Sequence, residues 1–279
     1  MNKKRLTLIV TLVCMLLFLT GCTINENLID LDTKFGQMTS EGFLSAILVF
    51  PLAQLINLIS SKLGVFWGIA IVATALNAII VVCTFKSNVA MQRMQEVQPE
   101  VQRIQLKYEG RNDNASKQRM SAELQSLYKK YDINPLGSLL ATFIQFPILF
   151  AMYAAVRRSY AVANGEFLGA KLSYSPSEAF SNHAWVLLVI YVLMIILQFV
   201  STSIPRWVQI AREKKEAELH HKHYEKPANP NGLMMYSMVV FIGIIMLSWP
   251  TALSLYYAIY SCINIVKTIV IDKITHKND

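Results

Sequence analysis

Amide and hydroxyl side chains recur at helical intervals inside segments that are otherwise apolar. Ser254, Tyr257, Ser261, Asn264 and Thr268 step by 3, 4, 3 and 4; Ser138, Thr142 and Gln145 step by 4 and 3. Gln198, Ser201 and Thr202 share one side of a third segment, and Thr74 and Asn77 stand three apart in a fourth. Such groups make hydrogen bonds and hold water; they do not break bonds. Four stripes together point to a hydrated cavity lined by Thr74, Asn77, Gln145, Gln198, Ser201, Tyr257, Ser261 and Asn264. Hydrogen bonding between helices accounts for any one stripe taken alone. Nothing in the sequence indicates catalysis. The apolar segments hold no Asp or Glu before Asp272, which excludes a carboxylate relay, and there is no phosphate-binding loop. His220, His221 and His223 point to different faces of a helix and lack a carboxylate or cysteine frame, so no metal site is expected. The expectation is a protein that is not an enzyme and needs no cofactor.

The segments that carry these groups are hydrophobic enough to cross a bilayer. Of the 279 residues 54% are hydrophobic, and the mean hydropathy is +0.38. Five runs, about 63–85, 136–156, 184–204, 233–249 and 251–271, approach the roughly 20 residues a bilayer requires. Trp67, Trp185, Trp207 and Trp249 fall near their ends, at the interfacial depth where indoles belong. Ahead of them, polar residues at 54, 57 and 60–61 oppose Leu52, Leu55, Ile56 and Ile59, so 43–61 reads as a helix lying in the interface. The fold class is an all-α membrane protein: five transmembrane helices, an N-terminal interfacial helix and a cytoplasmic helical hairpin.

The net charge of +8 is topogenic. Nine basic residues lie within 86–135, six within 205–232, and Lys267, Lys273 and Lys277 follow, which makes 18 on one side. Outside the first residues, only Lys34, Lys62, Arg157, Arg158 and Lys171 fall on the other. The positive-inside rule puts the 18 in the cytoplasm, together with the C-terminus. Nucleic-acid binding is then not needed to explain the charge. Residues 1–21 read as a signal peptide, with Lys3, Lys4 and Arg5 before the apolar run Leu6 to Leu19. Leu19-Thr20-Gly21-Cys22 resembles the lipobox of bacterial lipoproteins, which implies a diacylated Cys22 anchored on the outer leaflet. Residues 22–62 then form an external tether and the interfacial helix, 63–272 the five-helix core, and 273–279 a cytoplasmic tail. Cys83 and Cys262 lie in apolar runs and act as small apolar side chains.

The stretch 86–135 is itself patterned. Met94, Val97, Val101, Ile104 and Tyr108 step by 3, 4, 3 and 4; Met120, Leu124, Leu127 and Tyr131 step by 4, 3 and 4 beyond the breaker Gly110-Arg111-Asn112-Asp113-Asn114. Two amphipathic helices joined by a polar turn make an antiparallel hairpin. The charged stretch 212–226 is expected to be a shorter helix or arm.

Several of these segments resemble the YidC/Oxa/Alb insertase family. Met94-Gln95-Glu96-Val97-Gln98-Pro99-Glu100 is similar to the start of that family's hairpin, and Leu124 to Tyr131 followed by Asn134-Pro135-Leu136-Gly137 is similar to its exit. Gln145-Phe146-Pro147 matches its Gln-x-Pro signature, and Pro250-Thr251-Ala252-Leu253-Ser254-Leu255-Tyr256-Tyr257 resembles its Pro-Ala-Gly-Leu-x-Leu-Tyr-Trp run. The resemblance covers about 45–272, and the lipobox fits Gram-positive members. It implies insertion of nascent hydrophobic segments through an inward-open hydrophilic groove without nucleotide. It also implies nascent membrane proteins, the ribosome, the Sec translocon and the bilayer as partners. One residue departs from the family. The arginine it carries in the first span falls on Asn77 here, and Asn77 offers hydrogen bonds but no Coulomb attraction. The alternatives are a degenerate paralogue that docks partners as a membrane lipoprotein, and a small-solute transporter.

Overall fold

The computed structural model describes residues 27–39, 41–111, 113–219, 221 and 232–275, with side chains left aside at 135–144, 213, 216 and 232–234. The signal segment, Cys22, His220 and His223 therefore lie outside the described residues. The chain folds as two compact units. Among the described residues, the first comprises those within 27–72, 145–189 and 248–255, and the second those within 73–144, 190–247 and 256–275.

The first unit is built on an N-terminal segment that does not behave as a loose tether. Residues Phe35–Thr39 form α1, and a π-helical turn at Ser45–Val49 leads into α2, Phe50–Leu63. Asn57, on the polar stripe of α2, is only 4% exposed. Its Nδ2 donates to Ile29 O at 2.6 Å, while its Oδ1 accepts from Ser159 Oγ (2.7 Å) and the Ala161 amide (3.0 Å). Ile29, fully buried, also bridges Ser159 through backbone bonds from its amide to Arg158 O and from the Tyr160 amide to its own carbonyl. α2 stops at Gly64, whose φ of 88° suits glycine, and α3, Val65–Cys83, starts at once. A Cβ at Gly68 would fall 2.0 Å from Ser60 Oγ and 2.9 Å from Ile56 O, so only glycine lets the joined ends approach this closely.

Further along the first unit, α7 (Pro135–Arg158, with Pro147 inside it) contributes its last turns, followed by α8 (Tyr160–Asn164). A two-residue antiparallel pair of β1 (Glu166–Phe167) and β2 (Ala170–Lys171) comes next, and Phe167 stacks on Phe66 at 4.4 Å. The short α9, Pro176–Ser181, begins with a reciprocal capping box between Ser175 and Glu178. The β2 loop then meets the start of α12 (Thr251–Thr275). The Thr251 and Ala252 amides donate to Tyr174 O (2.8 Å) and Leu172 O (2.9 Å), so two donors that a helix start leaves open are bonded. The Pro250-Thr251-Ala252 run thus has a local structural purpose.

The second unit contains the hairpin. Its first arm is not one helix: α4 (Phe85–Glu96) ends at Val97 and α5 (Gln98–Lys107) restarts there. Pro99, in the first turn of α5, has no N–H for the Gln95 carbonyl and its ring crowds that turn, so a continuous helix is broken where a new one tolerates it. The second arm, α6 (Asn114–Lys130), starts with Asp113 Oδ2 accepting the Ser116 amide at 2.8 Å. Val97, Val101, Leu127 and Ile133 form the buried centre, with Met94, Ile104, Leu124 and Tyr128 against it. The stepped apolar residues therefore do face each other; Tyr131 instead lies at the edge, bonded to Glu100.

Helices long and apolar enough to cross a membrane span Ser45–Leu63, Val65–Cys83, Trp185–Leu219 (α10) and Thr251–Thr275. A shorter apolar stretch, Met235–Met246, lies within α11, Gly232–Met246. The 24-residue α7 coincides with the expected second span. Three of the expected spans, α3, α7 and α12, thus appear as helices within a few residues of their predicted ends; α10 starts where expected but runs to Leu219 rather than 204, and α11 ends at Met246 rather than 249. Of the charged stretch 212–226 expected as a separate arm, residues 212–219 are instead the far end of α10, which has Pro205 inside it, and 222–226 lie outside the described residues.

Candidate functional site

Most of the predicted polar residues belong to the second unit. α10 presents Gln198 and Ser201, three residues apart, and α12 presents Ser261 and Asn264 at the same spacing. Ser261 Oγ donates to Gln198 Oε1 at 2.7 Å, and Asn264 Nδ2 donates to Ser201 Oγ at 2.8 Å. Both numbers rise together from one rung to the next. The helices therefore run parallel, as the third and fifth crossings of a multi-pass chain must. Ser261 is fully buried and Ser201 is 2% exposed, so an orphaned partner here would lack water. For these four residues the structure gives hydrogen bonding between helices.

The remaining predicted residues are not drawn into that ladder. Asn77 is 2% exposed, and its Nδ2 donates to Ala73 O of its own helix at 2.7 Å. Thr74 is exposed. Tyr257 is buried, with its ring edge-on to Tyr256 and Tyr260 at 5.5 and 6.2 Å. Gln145 belongs to the first unit; it is half-buried, and its Nε2 has no protein partner among the described residues. Ser203 Oγ in the second unit and Ser254 Oγ in the first are buried in the same condition.

Sequence reasoning missed a charged network at the far end of the second unit. Arg212 of α10 reaches Glu96 of α4 at 3.1 Å and Asp272 of α12 at 3.5 Å, and Gln92 Nε2 donates to the same Asp272 carboxylate at 3.0 Å. These groups border a narrow cleft of about 10 Å³, room for roughly one water, which Pro205, Val208 and Thr268 also line. Beside it, Lys267 Nζ donates to Asn88 Oδ1 at 3.2 Å. In sequence each of these residues reads as a topogenic charge or a polar hairpin face, and no periodicity signals a partner over a hundred residues away.

On the hairpin, Glu123 accepts from Lys107 Nζ at 2.6 Å and from Tyr108 OH at 2.7 Å. The hydrogen bond from Lys107, then that from Tyr108, holds the Glu123 carboxyl below its ordinary value, and the same contacts hold Lys107 and Tyr108 above theirs. In the first unit the Arg158 guanidinium is buried against Glu41, with Nη1–Oε2 at 2.6 Å and Nη2–Oε1 at 3.0 Å, and its Nε donates to Asn27 O at 2.9 Å. Among the described residues no three His, Cys, Asp or Glu side chains cluster as metal ligands would.

Known proteins resemble this chain along most of its length. The profile of the 60Kd inner membrane protein family matches residues 58–278. The chain is 27% identical over 261 residues to a protein named membrane protein insertase YidC 2 of Bacillus anthracis, covering 92% of this chain and 89% of that one. It is 25% identical to membrane protein insertase MisCA of Bacillus subtilis, covering 96% and 92% of the two chains. It is also 30% identical to membrane protein insertase YidC 2 of Listeria monocytogenes, over 93% and 84%.

Proposed function

The chain belongs to the 60Kd inner membrane protein family, that of the YidC/Oxa/Alb proteins, and from that premise we propose that it inserts hydrophobic segments of nascent proteins into the bacterial membrane. The segment slides along a hydrophilic groove in the inner half of the bilayer and leaves it sideways for lipid. Transfer of an apolar helix from a wet groove to hydrocarbon is downhill by itself, so no nucleotide and no catalytic residue is required. The N-terminus lies outside, held by a lipidated Cys22 and by α2 in the interface, while the hairpin and C-terminus face the cytoplasm, the ribosome and the Sec translocon.

The observation that carries this reading is the polar ladder of α10 and α12 inside a multi-pass chain of this family. Each ladder amide uses one of its several bonding positions on its rung. The capacity left over on Gln198 and Asn264, together with buried Asn77, supports hydration and transient bonds to a passing backbone. Thr74 extends that polar surface, Tyr257 offers an amphipathic contact, and Gln145 serves water in its own unit. Replacing Asn77, Gln145 and Gln198 together with Leu is expected to abolish insertion of a single-span substrate into nucleotide-free vesicles containing the protein. Unchanged insertion would refute the groove. Asn77 in place of a cation favours one second reading, a partner-docking paralogue without insertion activity. Rescue of an insertase-depleted cell by the unaltered chain decides against it.

A further inference from the structure

Two arginines end α7, and the fold treats them in opposite ways. Arg158 is buried and forked onto Glu41. Arg157 is exposed, and among the described residues no carboxylate lies within salt-bridge distance of it. Its Nη1 donates to Tyr153 OH at 3.2 Å, one helical turn back, and its guanidinium carbon lies 5.8 Å from the centre of that ring. Tyr153 is set in turn against Trp249, with 4.5 Å between ring centres. All three residues belong to the first unit.

Closing the helix end does not require this cation. Ala155 O accepts the Ser159 amide at 2.8 Å and Arg158 O the Ile29 amide at 2.6 Å, so two of the last carbonyls of α7 are bonded by backbone. The Tyr153 bond uses one of the guanidinium's several donors and leaves a planar fork, whose geometry fits two oxygens of one phosphate. The surroundings say which phosphate. A half-buried tyrosine and tryptophan side by side at the end of an apolar helix mark the depth of lipid headgroups. Leu247, two residues before Trp249, is apolar and 38% exposed, so hydrocarbon adjoins the pair. At that depth the abundant anion is the phosphodiester of a phospholipid.

We propose that Arg157, steadied by the tilted pair of Tyr153 and Trp249, binds the phosphodiester of an anionic phospholipid in the leaflet where α7 ends. The guanidinium takes two phosphate oxygens, while the two rings lie against the glycerol and the first methylenes of the acyl chains. An anionic headgroup is preferred to a zwitterionic one, whose own cation would stand near the guanidinium. Because Trp249 directly precedes Pro250 and the start of α12, the bound lipid braces that start against the last turn of α7. The inference rests on the membrane-spanning fold and is independent of insertion activity.

The test follows the fluorescence of Trp249 alone, in the full chain with Trp67, Trp185 and Trp207 changed to Phe; all three are exposed. The protein is placed in phosphatidylcholine vesicles holding a minor share of phosphatidylglycerol, with bromine on the acyl chains of one lipid or the other. Brominated phosphatidylglycerol is expected to quench Trp249 by more than its share of the bilayer accounts for. Arg157→Gln should weaken that preference about fivefold, the weight of one cation beside anionic lipid, and Arg157→Lys should keep part of it. An unshifted unfolding temperature confirms that the variants fold. If the three tryptophan changes unfold the chain, native mass spectrometry of the unaltered protein and of Arg157→Gln decides instead, with one fewer phosphatidylglycerol expected on the variant. The proposal is overturned if phosphatidylglycerol quenches Trp249 no more than phosphatidylcholine does, or if Arg157→Gln keeps the full preference or the full lipid count. It is also overturned if millimolar inorganic phosphate abolishes the preference, because the site then holds free phosphate.

Discussion

Arg158 shows what a single side chain can hold together. Read by charge alone it is one of the few cations outside the basic segments. In the structure it is a 3%-exposed guanidinium forked onto a 15%-exposed carboxylate, with a third bond to the backbone at Asn27. Removing one member of such a pair leaves the other charged and dry, at a cost of about 3–5 kcal/mol, whereas an apolar pair of similar volume is often neutral. Arg158→Ala is therefore expected to lower unfolding stability by about 3 kcal/mol and to expose residues 27–41 to protease. The double change Arg158→Met with Glu41→Leu should recover most of both. Calorimetry and limited proteolysis of the purified protein check it; a single variant as stable and protected as its parent would show the pair to be incidental. The same locality shows how far residues can be read in advance. The polarity of Asn57 is legible from its place on a stripe, but the stripe says only which face is polar. It does not say that Ile29, Ser159 and Ala161 will occupy that face.

At the scale of elements, the hairpin is the part most open to reading, because two arms with complementary apolar steps have few other ways to bury them. The break at Val97 is harder to see, since the apolar steps run through it unchanged and only Pro99 marks it. The far end of α10 departs from expectation for the opposite reason: a run of charge suggests that a helix ends, whereas here charge merely carries the helix out of the apolar layer. The hairpin also makes a pH-dependent prediction. The Glu123 carboxyl is held below its ordinary value of 4.5, first by Lys107 and then by Tyr108. A depressed carboxyl contributes stability that is fully present above its unfolded pKa and is lost as the pH falls through the folded one. Lys107, raised above 10.5, gives the converse: its share is present below that value and lost at higher alkaline pH. Spin labels at exposed positions 103 and 125 of the full chain should report a stable separation at neutral pH. The separation should broaden as the pH drops below the ordinary glutamate range, and Glu123→Gln should flatten that response. Because the pair is largely exposed, the change should stay modest and shrink with added salt. A hairpin as ordered in strong acid as at neutrality would mean that its apolar centre alone sets its stability.

For the molecule as a whole, the decisive property is which side of the membrane each loop occupies, and two independent features bear on it. One is the division of basic residues, 18 against five beyond the signal segment. The other is the parallel direction of α10 and α12, fixed by the rungs Gln198–Ser261 and Ser201–Asn264. Parallel third and fifth helices require the intervening α11 to cross back, even though its 15 helical residues are fewer than the roughly 20 a bilayer usually takes. From the division of charge we expect the basic stretches 86–135 and 205–232 on the cytoplasmic side and the β1–β2 loop on the outer side. Cysteines placed one at a time at Lys117 and Lys171, in a chain whose Cys83 and Cys262 are changed to Ser and measured against that chain without the addition so that Cys14 and Cys22 are accounted for, test this in intact cells with a membrane-impermeant maleimide. Lys171→Cys is expected to react from outside and Lys117→Cys only after the membrane is opened. Reaction of both from outside would mean that α11 does not restore the alternation. Reversal of the two would turn the polar ladder towards the exterior, where no nascent chain arrives, and the insertion reading would lose its physical basis along with the orientation.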